Sequence, residues 1–140
     1  MNNQEYFERI IAEIYQIPSP KIDISRKENI LSFLTTTVNG DIIQDFLVID
    51  ATLPEGLAVF VYVLTNRRVI RVVINSRQEI TSSGFLLSTI TGVDRKLSET
   101  DNRIEIKISF DIGVTGLRYS AKSQKITEFF QKVEQSWTKG

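Results

Sequence analysis

Between Arg103 and Phe110 the chain reads Arg-Ile-Glu-Ile-Lys-Ile-Ser-Phe, apolar at every even position and polar at every odd one. Side chains alternate across a β-strand, so this segment sets one face on a core and the other in water, as antiparallel sheets commonly do. On a helix the same residues would scatter their isoleucines around the axis and form no stripe. The segment therefore commits the chain to a sheet with apolar matter on one side.

The stretch from Gly40 onward supplies the rest of such a sheet. Ile42 to Ala51 reads as a first strand and Leu53-Pro54-Glu55-Gly56 as the turn after it. Leu57 to Leu64 and Arg68 to Asn75 read as a hairpin around Thr65-Asn66-Arg67, with the proline, glycine and asparagine that turns select. A short strand is expected near Glu79 to Thr81, another from Phe85 to Val93, then a charged loop from Asp94 to Asn102. Past the alternating segment, Gly113 and Gly116 flank a reversal into a last strand at Leu117 to Ser120. Ser82-Ser83-Gly84 and Thr91-Gly92 read as turn punctuation, since neither has the glycine and lysine spacing of a phosphate loop.

Helices flank this run of strands. From Asn2 to Gln16, the residues Phe7, Ile10, Ile11 and Ile14 fall on one helical side, and Ile17-Pro18-Ser19-Pro20 ends the helix because proline cannot donate to the ladder. Ser25 to Gly40 supports two readings. Ser25-Arg26-Lys27-Glu28 matches a capping box, Ile30, Leu31, Leu34 and Val38 hold a helical stripe, and Gly40 suits the left-handed residue past a helix end. Against that, Thr35-Thr36-Thr37-Val38 is β-branched and Asn39-Gly40 is a hairpin turn. The balance lies with the helix. At the other end Ser123 is placed to cap a helix whose Ile126, Phe129, Phe130, Val133 and Trp137 form one broad apolar stripe,. Strands in a run with no βαβ alternation, closed by one amphipathic helix, suggest an antiparallel sandwich or partial barrel.

Composition excludes several kinds of function. The 140 residues suit one domain, and 17 basic against 17 acidic residues leave no excess charge to hold nucleic acid,. The chain has neither cysteine nor histidine, so the usual soft-metal ligands, thiol nucleophiles and proton shuttles are missing. No catalytic residue, metal site or cofactor is expected. The first sixteen residues carry three acids and lack the pattern of a secretory signal, and the longest apolar run, Leu57 to Leu64, is eight residues, far short of the ~20 that cross a bilayer as a helix. A cytoplasmic chain without a membrane span is the expectation.

Several segments together resemble a known family. Leu-Thr-Asn-Arg-Arg-Val-Ile at Leu64 to Ile70, Leu-Leu-Ser-Thr-Ile-Thr-Gly-Val-Asp-Arg-Lys-Leu at Leu86 to Leu97, Gly-Leu-Arg-Tyr-Ser at Gly116 to Ser120, and the C-terminal helix are similar to bacterial pleckstrin-homology-like (PH-like) domains. The resemblance covers roughly Ile42 to Trp137. It implies a mainly β fold with α: an antiparallel sandwich or partial barrel of about seven strands, capped by a C-terminal helix. Residues 1–40 would then be a helical N-terminal extension packed on a PH-like domain of residues 41–140. Members of this fold are known as modules that bind phosphoinositides or peptides, and some bacterial ones look like assembly domains; none is an enzyme by virtue of the fold.

Two sets of residues are candidates for contact. On the third strand Arg67, Val69, Arg71 and Val73 share one face and Arg68, Ile70, Val72 and Ile74 the other. Arg71 should then face water, and Arg68 should begin the inward face, its head reaching a carboxylate or carbonyl. Phosphoinositide-binding relatives place basic residues two apart beside the first inter-strand loop, a spacing that Arg67, Arg68 and Arg71 do not reproduce. A solvated sheet face is the simpler reading, with an anionic-lipid site using Arg67 and Arg68 as the alternative, and with it a peripheral membrane contact. Acid pairs such as Asp41 with Asp45, Asp50 with Glu55, and Glu99 with Asp101 suit loops and turns better than a glycosidase-like dyad. The second set is apolar: Phe7, Ile10, Ile11 and Ile14 either pack back on the sheet or dock to another molecule, and Trp137 either caps the core or stays open to a partner. Val59, Val61, Val63, Val69 and Val73 are expected together on an outward face that needs covering, by the leader or by a second copy. The expected role is a non-enzymatic interaction or self-assembly module whose partner is a protein or the chain itself.

Overall fold

The computed structural model describes residues 1–97, 104–110, 117–121 and 124–139, and for 104–106, 117–121 and 137–139 the backbone alone. The expected Ser123 cap, the Gly113 and Gly116 reversal, Glu99 with Asp101, and the Trp137 side chain lie outside that description. The elements run α1 (Asn3–Ile14), a 3-10 turn (Ile24–Arg26), α2 (Lys27–Val38), β1 (Ile43–Leu53), β2 (Gly56–Thr65), β3 (Arg68–Ile74), β4 (Ile80–Leu86), a second 3-10 turn (Leu87–Thr89), β5 (Ile90–Leu97), β6 (Ile104–Phe110), β7 (Leu117–Ala121) and α3 (Gln124–Lys139). Among the described residues this makes a four-stranded sheet ordered β1-β2-β3-β4 and a three-stranded sheet ordered β5-β6-β7. Two compact units follow one another along the chain, Met1–Gly84 and Phe85–Gly140.

The first unit is built around the opening helices. Asn2 caps α1 by accepting from the Glu5 amide at 2.9 Å, and Glu5 lies in the first turn, where it complements the helix dipole,. The ambiguous segment is helical, and its threonines show how. Thr35 and Thr37 turn their hydroxyls back onto the carbonyls of Leu31 and Phe33, at 2.8 and 2.7 Å, satisfying their polar groups within the helix rather than in a strand. The expected capping box is replaced. Asp23, not Ser25, caps the approach by accepting from the Ser25 amide at 2.9 Å, and Ser25 sits inside the 3-10 turn that leads into α2. Asn39 takes the left-handed conformation, with Gly40 also at positive φ beyond it,.

The register of the β2–β3 hairpin overturns one expectation. Leu64 pairs with Val69, Val63 with Ile70 and Val61 with Val72, so the turn is the two residues Asn66 and Arg67 rather than three. A slip of one residue moves side chains to the opposite face. Val59, Val61 and Val63 therefore share a face with Ile70, Val72 and Ile74, not with Val69 and Val73. Against that face lie Phe7, Ile10, Ile11 and Ile14 of α1 and Ile30, Leu34 and Val38 of α2, in one buried cluster. Each such aliphatic side chain contributes roughly 1.5–3 kcal/mol when fully buried. The other face is not wet either, since Leu47, Ala58, Tyr62, Leu64 and Val69 are all buried.

Two supposed turns are strands. Ser82-Ser83-Gly84 belongs to β4, where Gly84 lies alongside the Arg68 side chain. Thr91-Gly92 belongs to β5, where the β5–β6 register shifts between Ile90 and Gly92, a bulge at which glycine is at home. Asp94 to Leu97 continue β5 rather than opening a loop.

In the second unit Ile108 and Phe110 of β6 are buried while Lys107 is exposed, the period of two that the sequence announces. Phe110 meets Phe85 with ring centroids 4.9 Å apart. On α3, Phe129, Phe130 and Val133 are buried, the two phenylalanines edge to face at 5.0 Å,. Arg95 of β5 pairs with Glu134 of α3.

Candidate functional site

The basic turn is organised by an acid. Asp41 follows the left-handed exit of α2 and is 5% exposed. Its Oδ2 accepts from Arg68 Nε at 2.8 Å and from the Thr65 hydroxyl at 3.1 Å. Arg68 Nη2 then donates to the carbonyls of Thr37 and Val38, both at 3.0 Å. Both carbonyls belong to the last turn of α2, that of Val38 also accepting from the Asp41 amide at 3.1 Å, so a side chain from β3 caps the helix and places positive charge at its negative end. Thr65 completes the junction by accepting from the amides of Arg67 and Arg68 at 3.1 and 2.9 Å. Burial pushes the Asp41 carboxyl up, but the hydrogen bonds of Arg68 and Thr65 and the charges of Arg68 and Arg67 outweigh it, leaving the group below its ordinary range,.

The three arginines therefore have three situations. Arg68 reaches both the carboxylate and the carbonyls that its place on the inward face predicts. Arg67 stays 65% exposed, its Nη1 3.6 Å from Asp41 Oδ1. Arg71 is half-buried rather than simply in water, because the face it shares with Tyr62 is mostly buried. Burial raises the Tyr62 phenol, against the charge and hydrogen bond of Arg71. An open cavity of about 500 Å³ beside Arg71 is lined also by Glu55, Phe60, Val73 and Asn75.

The leader is tied down at further points. Asn3 donates to the Asp41 carbonyl at 2.7 Å and accepts from the Ile43 amide at 2.9 Å, meeting the outer edge of β1 as a neighbouring strand would. Tyr6 donates to the Gln44 carbonyl at 2.9 Å. At the far end of the sheet Arg26 donates to the Gln78 carbonyl at 2.9 Å. Phe7, Ile10, Ile11 and Ile14 face the first sheet and are buried in this chain. Sequence reasoning weighed Asp41 only beside Asp45, and did not single out Asn3, Thr65 or Gln78. The available signal was Arg68 itself, a strand-end arginine on the core face that needed an acid.

On their outer side α1 and α2 leave a groove of about 260 Å³ lined by Phe7, Glu8, Ile11, Ala12, Ile24, Lys27 and neighbouring residues. Ile24 on its rim is 69% exposed. Among the described residues no helix is long and apolar enough to cross a membrane, and no three acidic side chains gather as a metal site would need.

No family model matches the sequence, and no curated protein does. Solved structures do match. A DUF1696 family protein with a pleckstrin-homology domain from Shewanella loihica PV-4 is 11% identical, with a TM-score of 0.50 over 76% of this chain and 95% of that one. A pleckstrin-homology domain from Shewanella amazonensis SB2B is 11% identical, with a TM-score of 0.53 over 76% of this chain and 96% of that one. At such identity the likeness speaks of fold alone. The chain has the mainly β, PH-like fold that its sequence resembles, and a fold does not by itself name a function.

Proposed function

We propose that this chain is a non-enzymatic protein–protein interaction or self-assembly module, in which residues 1–40 are an integral extension of a PH-like domain formed by residues 41–140. The observation that carries the reading is the apolar groove on the outer side of the helical leader, with the exposed Ile24 on its rim. Apolar surface of this kind, rimmed by charged residues, marks contact sites. The fold supports a binding role in general, and a chain without histidine or cysteine has few groups for acid–base or nucleophilic work.

The alternative, an anionic headgroup held by Arg67 and Arg68, draws less support from the geometry. A phosphate would have to take Arg68 from Asp41 and from two helix carbonyls. Leaving a buried carboxylate without its partner costs about 3–5 kcal/mol. Light scattering on the full chain over a wide concentration range, beside titration of phosphoinositide-bearing vesicles, separates the two readings. The assembly reading expects a mass that rises above the 16.0 kDa of one chain and a flat vesicle response. A strict monomer with salt-sensitive vesicle binding, lost in Arg67→Ala with Arg68→Ala, would replace it with the lipid reading.

A further inference from the structure

We infer that the groove between α1 and α2 is a two-fold contact with a second copy of this chain, each copy seating its Ile24 in the other's groove. The inference rests on the assembly reading above and gives it a surface. A two-fold contact uses one patch on both partners, so that patch must be complementary to itself. This one is complementary in shape, for the apolar hollow floored by Phe7 and Ile11 lies beside a 69% exposed isoleucine. It is complementary in charge as well. Glu8 lines the groove from α1 and Lys27 from α2, and among the described residues neither makes an ion pair within its own chain. A two-fold axis through the groove sets Glu8 of each copy against Lys27 of the other, so the same pair forms twice.

Other occupants fit less well. A partner of unrelated sequence would have to bring an apolar knob, a base and an acid in matching places, all of which this patch already holds. An anionic membrane would be repelled by Glu8 as much as attracted by Lys27. The contact made by two copies is a bundle of four short helices with an apolar centre and a charged rim, a common arrangement for paired helices.

Sedimentation equilibrium on the full chain tests this through exposed positions whose replacement spares the core. Ala12→Arg and Ile24→Glu each put a charge at the centre of the contact and are expected to weaken dimerisation about 30-fold or more. Glu8→Lys and Lys27→Glu, taken singly, are expected to weaken it about tenfold, because each places like charges together twice. The double reversal Glu8→Lys with Lys27→Glu is expected to restore it, a rescue that general destabilisation would not produce. Unchanged dimers in Ala12→Arg and Ile24→Glu would overturn this surface and leave the assembly reading standing. A wild-type chain that stays monomeric at every concentration would overturn both.

Discussion

Asp41 holds an acceptor position on which Arg68, Thr65 and, more distantly, Arg67 converge, and its surroundings give these partners unequal weight. Arg68, 24% exposed, links a buried carboxylate to the end of α2, whereas Arg67 is largely in water. Arg68→Ala should therefore cost about 3 kcal/mol of stability, and Arg67→Ala under about 1 kcal/mol, as read from urea unfolding. The acid limb of stability follows from the same contact. Because folding lowers the Asp41 pKa, its contribution is fully present above the unfolded value of about 3.9 and is lost as pH falls through the folded value. Asp41→Asn should lower stability at neutral pH and flatten the decline below about pH 4; an unaltered acid profile would show that the junction does not act this way.

Among the elements, legibility tracked how local the deciding interactions are. The alternation of β6 and the stripe of α3 were plain because each reports a single buried face. The β2–β3 register was not, since three-residue and two-residue turns around Asn66 differ by one position, and the choice lies with Thr65, whose hydroxyl takes the amides of Arg67 and Arg68. The threonine run in α2 was ambiguous for a related reason: its β-branched residues become helical once Thr35 and Thr37 bond back to the preceding turn and Arg68 caps the end. Ser82-Ser83-Gly84 reads as a turn because small polar residues and glycine favour turns locally, whereas its strand conformation comes from pairing beside β3 in the sheet. Two substitutions test these elements. Gly56→Ala, at φ +134 where β2 begins after the turn from β1, should cost about 1–2 kcal/mol through backbone strain. Ile14→Ala, in the fully buried stripe of α1, should cost about 2–5 kcal/mol.

At the scale of the whole molecule, the account makes the first forty residues part of the fold rather than a tether to it. They cover the valine and isoleucine face of β2 and β3, meet the edge of β1 through Asn3 and Tyr6, and are bound at the far end through Arg26. A strand edge and an apolar face left open would invite unspecific pairing. The leader removes both hazards locally while keeping its own groove outward. Native-state hydrogen exchange of the full chain addresses this claim most directly, because it reads the opening free energy of each segment. The account predicts that the amides of Ile10, Ile11 and Ile14 are protected to the same level as those of Val61, Tyr62 and Val63. Exchange in α1 a thousandfold or more faster than in β2, about 4 kcal/mol of separate opening, would contradict it.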